Sequence, residues 1–156
     1  MDGNENSNGL TIRTLAREDS ARLVRMDERI TGRNRATWYE GKLKRAFEDS
    51  DLKISLGAEM DGTLVGAVLG TLQYGEYGLP EPVAVLDTIL VDSDFRGRGI
   101  ATAMFDQLVE NLEALGIKRL RTEIAWNDRE LVGFLGKNGF GPGGRLVLER
   151  HLKEPD

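Results

Sequence analysis

Apolar and polar residues alternate from Leu10 to Leu15 (LTIRTL), which predicts a first strand. Asp19 is then placed to N-cap a helix to about Ile30, with Leu23, Met26 and Ile30 on one face. The stretch Thr31 to Asn34 (TGRN) breaks it. A second helix is expected from about Arg35 to Glu48, with Tyr39, Leu43, Ala46 and Phe47 as its apolar stripe. Leu52 to Met60 and Thr63 to Gln73 flank Asp61-Gly62, a pair that supplies the positive φ angles a two-residue hairpin turn needs. Val83 to Val91 forms the next strand after the loop YGEYGLPEP. There the period changes. Ile100, Met104, Leu108, Leu112 and Leu115 recur at helical spacing, and Gly116 is placed to stop the helix. Ile117 to Trp126 reads as a strand, Asp128 to Lys137 as a short helix and Arg145 to Leu152 as a closing strand.

The order β-α-α-β-β-β-α-β-α-β predicts a mixed α/β (α+β) fold. Meandering antiparallel strands come first, and one β-α-β crossover follows over Val83 to Trp126. The 156 residues suit one domain, expected over 10–153. The polar segment Met1 to Gly9 (MDGNENSNG) reads as a loose tail.

Composition narrows the chemistry. With no cysteine there is no disulfide framework, thiolate nucleophile or cysteine-bound metal, and one histidine, His151, cannot make a two-histidine metal site. No metal is therefore expected. No apolar run reaches the roughly 20 residues of a membrane span. The first residues lack a basic-then-apolar leader pattern, so the expected setting is cytoplasmic, without a membrane. A net charge of −5 argues against nucleic acid as a partner. The charge is uneven: Thr11 to Arg45 carries ten Lys/Arg against five Asp/Glu, whereas Ala46 to Phe95 carries one against ten. That pattern reads either as two solvated faces or as an acidic middle that receives a cation beside a basic region near an anion.

The sharpest motif is Arg96-Gly97-Arg98-Gly99-Ile100-Ala101 at a strand-to-helix junction. Amides at a helix start are unpaired, and the helix dipole adds partial positive charge there. Glycines let the main chain approach an anion, and the two arginines add charge-assisted donors. A pyrophosphate is the natural guest. A Rossmann unit would open the fold and place a small residue where Thr102 stands, and a P-loop would need Gly-Lys-Ser/Thr; neither pattern is met.

These residues resemble the GCN5-related N-acetyltransferases (GNAT). Their Arg/Gln-x-x-Gly-x-Gly/Ala signature is met by Arg96, Gly99 and Ala101, and Asn127 through Lys137-Asn138-Gly139-Phe140 is similar to a second motif. The resemblance implies a mostly antiparallel, twisted sheet with splayed central strands, and acetyl-CoA as cosubstrate. It implies that the pyrophosphate sits on Arg96, Gly97, Arg98, Gly99, Ile100 and Ala101, with Thr102 near the helix start. Leu90 and Val91 would expose backbone groups to the pantetheine arm, the Val91 amide polarising the thioester carbonyl. Asn127 and Phe134 would contact the arm. Many members place a tyrosine where Leu135 stands, to protonate the leaving thiolate, and leucine cannot do this.

Direct attack on a thioester needs a neutral amine and hence a base. Asp87 is the first candidate, because four residues before Val91 it would share that residue's face in an unbroken strand. Glu123 is the second. The acceptor region implied by the resemblance holds Arg29, Arg33, Arg35 and Tyr39 on one side, and Tyr74, Glu76, Tyr77 and Glu81 on the other. The expected activity is acetyl transfer to a primary amine of a small molecule or peptide. The alternative is a non-catalytic acyl-CoA-binding module, and a homodimer stays open.

Overall fold

The computed structural model describes residues 4–5, 9–48 and 54–156. They divide into two compact units, 1–123 and 124–156. The first contains one sheet whose strands lie in sequence order: β1 (Asn4–Glu5), β2 (Leu10–Thr14), β3 (Leu56–Met60), β4 (Thr63–Gln73), β5 (Val83–Val91) and β6 (Leu120–Thr122). All neighbours pair antiparallel except β5 and β6, which pair parallel. Their crossover is α3 (Ile100–Ala114), while α1 (Ser20–Thr31) and α2 (Ala36–Glu48) lie between β2 and β3 in the chain. The fold is therefore the mixed α/β class read from the sequence.

The two faces of the sheet are filled differently. Leu23 and Met26 of α1 and Tyr39 and Leu43 of α2 form a buried cluster with Ala67, Leu69 and Leu90 of the sheet. On the other face α3 lies so close to β4 that a Cβ at Gly66 would come 3.0 Å from Met104 and 3.2 Å from Ile100. With helices on both sides, β4 is buried continuously from Leu64 to Gly70. Each such Leu or Val contributes roughly 1.5–3 kcal/mol when removed from water. The β3–β4 hairpin turns on Asp61 (φ 51°) and Gly62 (φ 77°), as their sequence requires.

Four expectations change. The segment read as a loose tail pairs in part, since Asn4 and Glu5 face Ile12 and Thr11. Asp19 holds the N-cap position of α1, but its side chain makes no capping bond to that helix; its buried carboxylate instead accepts the Ala16 amide at 2.7 Å and both terminal nitrogens of the Arg13 guanidinium. The strand expected over Ile117 to Trp126 shrinks to Leu120–Thr122, because β5 supplies partners only at Ala84, Val85 and Leu86. In the second unit α4 (Arg129–Lys137) forms, with the Asp128 side chain accepting the Leu131 amide at 3.1 Å, but Arg145 to Leu152 carries no strand. Leu146, Val147 and Leu148 run together, so that stretch lacks the alternation that assigns a strand one buried face.

Candidate active site

Strand β5 has β4 along its length but β6 only to Leu86↔Thr122, where the Thr122 hydroxyl donates to the Leu86 carbonyl at 2.7 Å. From Asp87 to Val91 the β6-side edge has no ladder partner among the described residues. The Asp92 amide donates to the Val65 carbonyl at 2.8 Å, which fixes the alternation. Residues 92 and 90 turn their backbone groups toward β4, so 91 and 89 turn theirs toward the open edge. The expectation for Val91 agrees with this orientation; that for Leu90 does not, since its backbone joins the β4 ladder and its side chain is buried. Ile89, absent from the sequence reading, shares the edge with Val91. No side-chain pattern marks it, because the signal is a backbone bond to a residue on another strand.

Asp87 is placed by an irregularity. Leu69 faces Thr88 and Gly70 faces Leu86, so Asp87 is an extra residue in a β-bulge. Gly70 makes room for it: a Cβ there would lie 2.8 Å from the Val85 carbonyl oxygen. The bulge breaks the alternation that would have put Asp87 and Val91 on one face. Val91 lies opposite Gly66, on the α3 face, whereas the Asp87 carboxylate meets the buried Lys42 ammonium of α2. Its other oxygen accepts the Thr88 hydroxyl at 3.0 Å. Glu123 is exposed, one residue beyond β6.

The glycine motif follows a short turn at Ser93–Phe95. Gly97 (φ 78°) and Gly99 (φ 74°) are left-handed, and Gly99 begins α3 without a capping side chain. The Ala103 amide makes the first bond of the helix, to the Gly99 carbonyl at 3.0 Å, so the amides of Ile100, Ala101 and Thr102 are its open donors. The first turn has no acidic residue. Arg96 and Arg98 are exposed, and the Arg98 guanidinium stacks 5.0 Å from the Phe95 ring.

Around α1 and α2 several expected acceptor contacts are already engaged. Arg29 bonds Asp92 at 3.3 Å and Asp94 at 3.1 Å. Arg35 makes a two-point pair with the buried Asp27 and packs on Trp38 and Tyr39. Tyr39 lies wholly in the core, and burial, reinforced by the Asp27 carboxylate, pushes its hydroxyl pKa up. It supports the α1–α2 corner from beneath and presents no exposed face to an acceptor. Arg33, Tyr74, Glu76 and Tyr77 are exposed. Tyr77 has φ 51°, a strained value for a tyrosine, and Arg121 sits 5.6 Å from its ring centre. Glu81 pairs with Lys118 at 3.6 Å. In the second unit Asn127 is exposed, Phe134 is half-buried on α4 and Leu135 is buried.

An open strand edge leading to a glycine-bounded helix start is one half of the comparison. The other is a model of the acetyltransferase (GNAT) family, which matches residues 20–140. The chain belongs to the GNAT acetyltransferase family. Solved structures share its fold. A ribosomal-protein-alanine N-acetyltransferase from Brucella melitensis biovar Abortus 2308 is 22% identical over 91% of this chain and 99% of its own, with a TM-score of 0.72. An aminoglycoside acetyltransferase from an uncultured soil metagenomic sample, in complex with trehalose, is 15% identical over 96% of this chain and 100% of its own, with a TM-score of 0.72. Arabidopsis thaliana Naa50, in complex with a bisubstrate analogue of CoA, is 14% identical over 84% of this chain and 82% of its own, with a TM-score of 0.68.

The loop of this GNAT acetyltransferase fits the cosubstrate of its family. A Cβ at Gly97 or Gly99 would meet nothing within 4 Å, so the space above both is open to a bulky anion. Donor amides, two exposed guanidinium groups and the absence of a first-turn carboxylate suit a pyrophosphate. Among the described residues no cluster of three His, Asp or Glu could hold a metal, and no helix is long and apolar enough to cross a membrane.

Proposed function

We propose that this chain transfers an acetyl group from acetyl-CoA to a primary amine of a small molecule or peptide, by direct attack within a ternary complex. The observation that carries this reading is the edge of β5 that has no ladder partner among the described residues, whose Ile89 and Val91 groups run toward the open amides at the start of α3. In it, the amides from Gly97 to Thr102 and the Arg96 and Arg98 side chains hold the pyrophosphate. Ile89 and Val91 offer amides to the pantetheine arm and to the thioester oxygen as it gains charge, a task suited to fixed dipoles.

Asp87 takes the proton from the incoming ammonium, directly or through one water, with Lys42 fixing its orientation. Glu123 is the second candidate base. Arg33, Tyr74, Glu76 and Tyr77 border the acceptor, which the acidic and aromatic groups suit as a cation. The chain has no cysteine, which supports direct attack over a thioester relay through the protein.

A second reading is favoured by Leu135, which is buried and has no proton to give where many members place a tyrosine. In that reading the chain binds an acyl-CoA without turning it over. Incubation with acetyl-CoA and a panel of amines, followed by mass spectrometry, tests both. An acetylated amine supports transfer. Binding of acetyl-CoA with no product from any amine favours the second reading, and no binding overturns both.

A further inference from the structure

Asp92 stands where β5 ends and the glycine loop begins, and it is only 2% exposed. Two arginines of α1 converge on it. Arg22 reaches it at 2.5 Å while its Nε donates to the Leu64 carbonyl at 2.9 Å. Arg29 reaches both Asp92 oxygens at 3.3 Å and Asp94 at 3.1 Å. On the loop side, Asp92 Oδ1 accepts the Asp94 amide and the Asp92 carbonyl accepts the Phe95 amide, each at 2.9 Å. One buried carboxylate thus ties α1, the end of β4's neighbour strand and the first turn of the loop together.

The loop needs such a tie. Gly97 and Gly99 give the main chain its open approach, but glycine loses more freedom on ordering than any other residue. The far end of the loop is fixed by α3, so its near end must be fixed at Ser93 to Phe95. Charge-assisted bonds are the stronger class, and ordering a binding loop before the ligand arrives removes that cost from the binding step.

We propose that Asp92 is a positioning residue for acetyl-CoA binding: held to α1 by Arg22 and Arg29, it sets the Gly97–Thr102 amides in line with the open edge of β5. The proposal rests on the reading of that loop as the pyrophosphate site. It also assigns Arg29 to the cosubstrate loop, where the sequence suggested the acceptor.

The test measures the dissociation constant of acetyl-CoA by calorimetry and its KM and kcat in the acetylation assay. Arg29→Ala, at an exposed position, should weaken acetyl-CoA about fivefold and Asp92→Asn about tenfold, with a much smaller fall in kcat. Arg29→Lys, which keeps the charge, should regain part of the loss. Arg13→Ala, which breaks the pair with Asp19 away from the loop, is the control: it should lower the melting temperature and leave the acetyl-CoA constants alone. If Asp92→Asn does not fold, Arg29→Ala decides. Melting temperatures that fall while both constants stay at the wild-type values would overturn the proposal. If the wild-type chain itself binds no acetyl-CoA, the pyrophosphate reading fails first, and this one with it.

Discussion

Two glycines carry opposite duties in the site. Gly70 is required for its lack of bulk, since a Cβ would press on the Val85 carbonyl at 2.8 Å and close the bulge that turns Asp87 toward Lys42. Gly99 is required for its backbone, because it starts α3 at φ 74° with free space around it. Its substitution therefore separates stability from binding. Gly99→Ala should cost roughly 1–2 kcal/mol of folding stability through the left-handed conformation alone. A chain of this size would melt about 2–4 °C lower for each kcal/mol lost. The added methyl also points into the space proposed for pyrophosphate, so acetyl-CoA should bind more weakly than the stability loss explains. Calorimetry below the melting range checks this, and unaltered affinity in a folded Gly99→Ala variant would argue against the loop's assigned role. Sequence spacing alone exposed Gly99, because a strand-to-helix glycine cluster is a local pattern. The bulge was not legible, because an extra residue in β5 is defined only against the register of β4.

At the scale of elements, the α1–α2 corner shows why helix boundaries were readable and their contacts were not. Gly32 (φ 72°) ends α1 as TGRN suggested, and its amide returns to the Glu28 carbonyl at 2.8 Å. What holds the corner is the pair between Arg35 and Asp27, whose positions eight apart fit neither helix spacing. The Arg35 hydrogen bonds are the main reason that the Asp27 carboxyl sits below its ordinary pKa, against the opposing effect of burial. The two partners are unequal: the Asp27 side chain is 4% exposed and that of Arg35 43%. Removing the arginine strands a buried charge, while removing the carboxylate leaves a cation that water can reach. Arg35→Met should thus destabilise by about 2 kcal/mol at pH 7, toward the low side for broken buried pairs because one partner faces solvent. Asp27→Asn should cost less. The penalty in Arg35→Met should shrink in acid, where Asp27 takes a proton and no longer needs a partner. Denaturant melts at pH 7 and pH 4 provide the comparison, and equal losses for both variants at both values would contradict the account.

Across the whole chain, the charge asymmetry in the sequence finds its explanation in long-range pairing. The basic segment 11–45 supplies Arg22, Arg29 and Lys42, and the acidic segment 46–95 supplies Asp92, Asp94 and Asp87 as their partners. Neither of the two sequence readings, solvated faces or ligand-facing patches, anticipated that these charges meet each other across 45 to 70 positions. Together with the Arg13–Asp19 and Arg35–Asp27 pairs inside the basic segment, these contacts make stability depend on carboxylates remaining ionised. Asp19 and Asp92 feel burial most, which raises their pKa values, but Arg13 with the Ala16 amide, and the Asp94 amide with Arg22 and Arg29, overcome it. With Asp27, all three end below the ordinary value of 3.8. A carboxyl lowered by folding stabilises the native state above its unfolded pKa, and that contribution is lost as pH falls through the folded value. The melting temperature should therefore stay nearly level from pH 7 to pH 5, begin to fall near pH 4 and continue falling below it. Raised salt should trim the exposed Arg29–Asp94 bond and spare the buried Asp27 and Asp92 pairs. A thermal series across this range decides the matter: a loss centred near pH 6, or none by pH 3, would mean that these three carboxylates do not govern the acid limit.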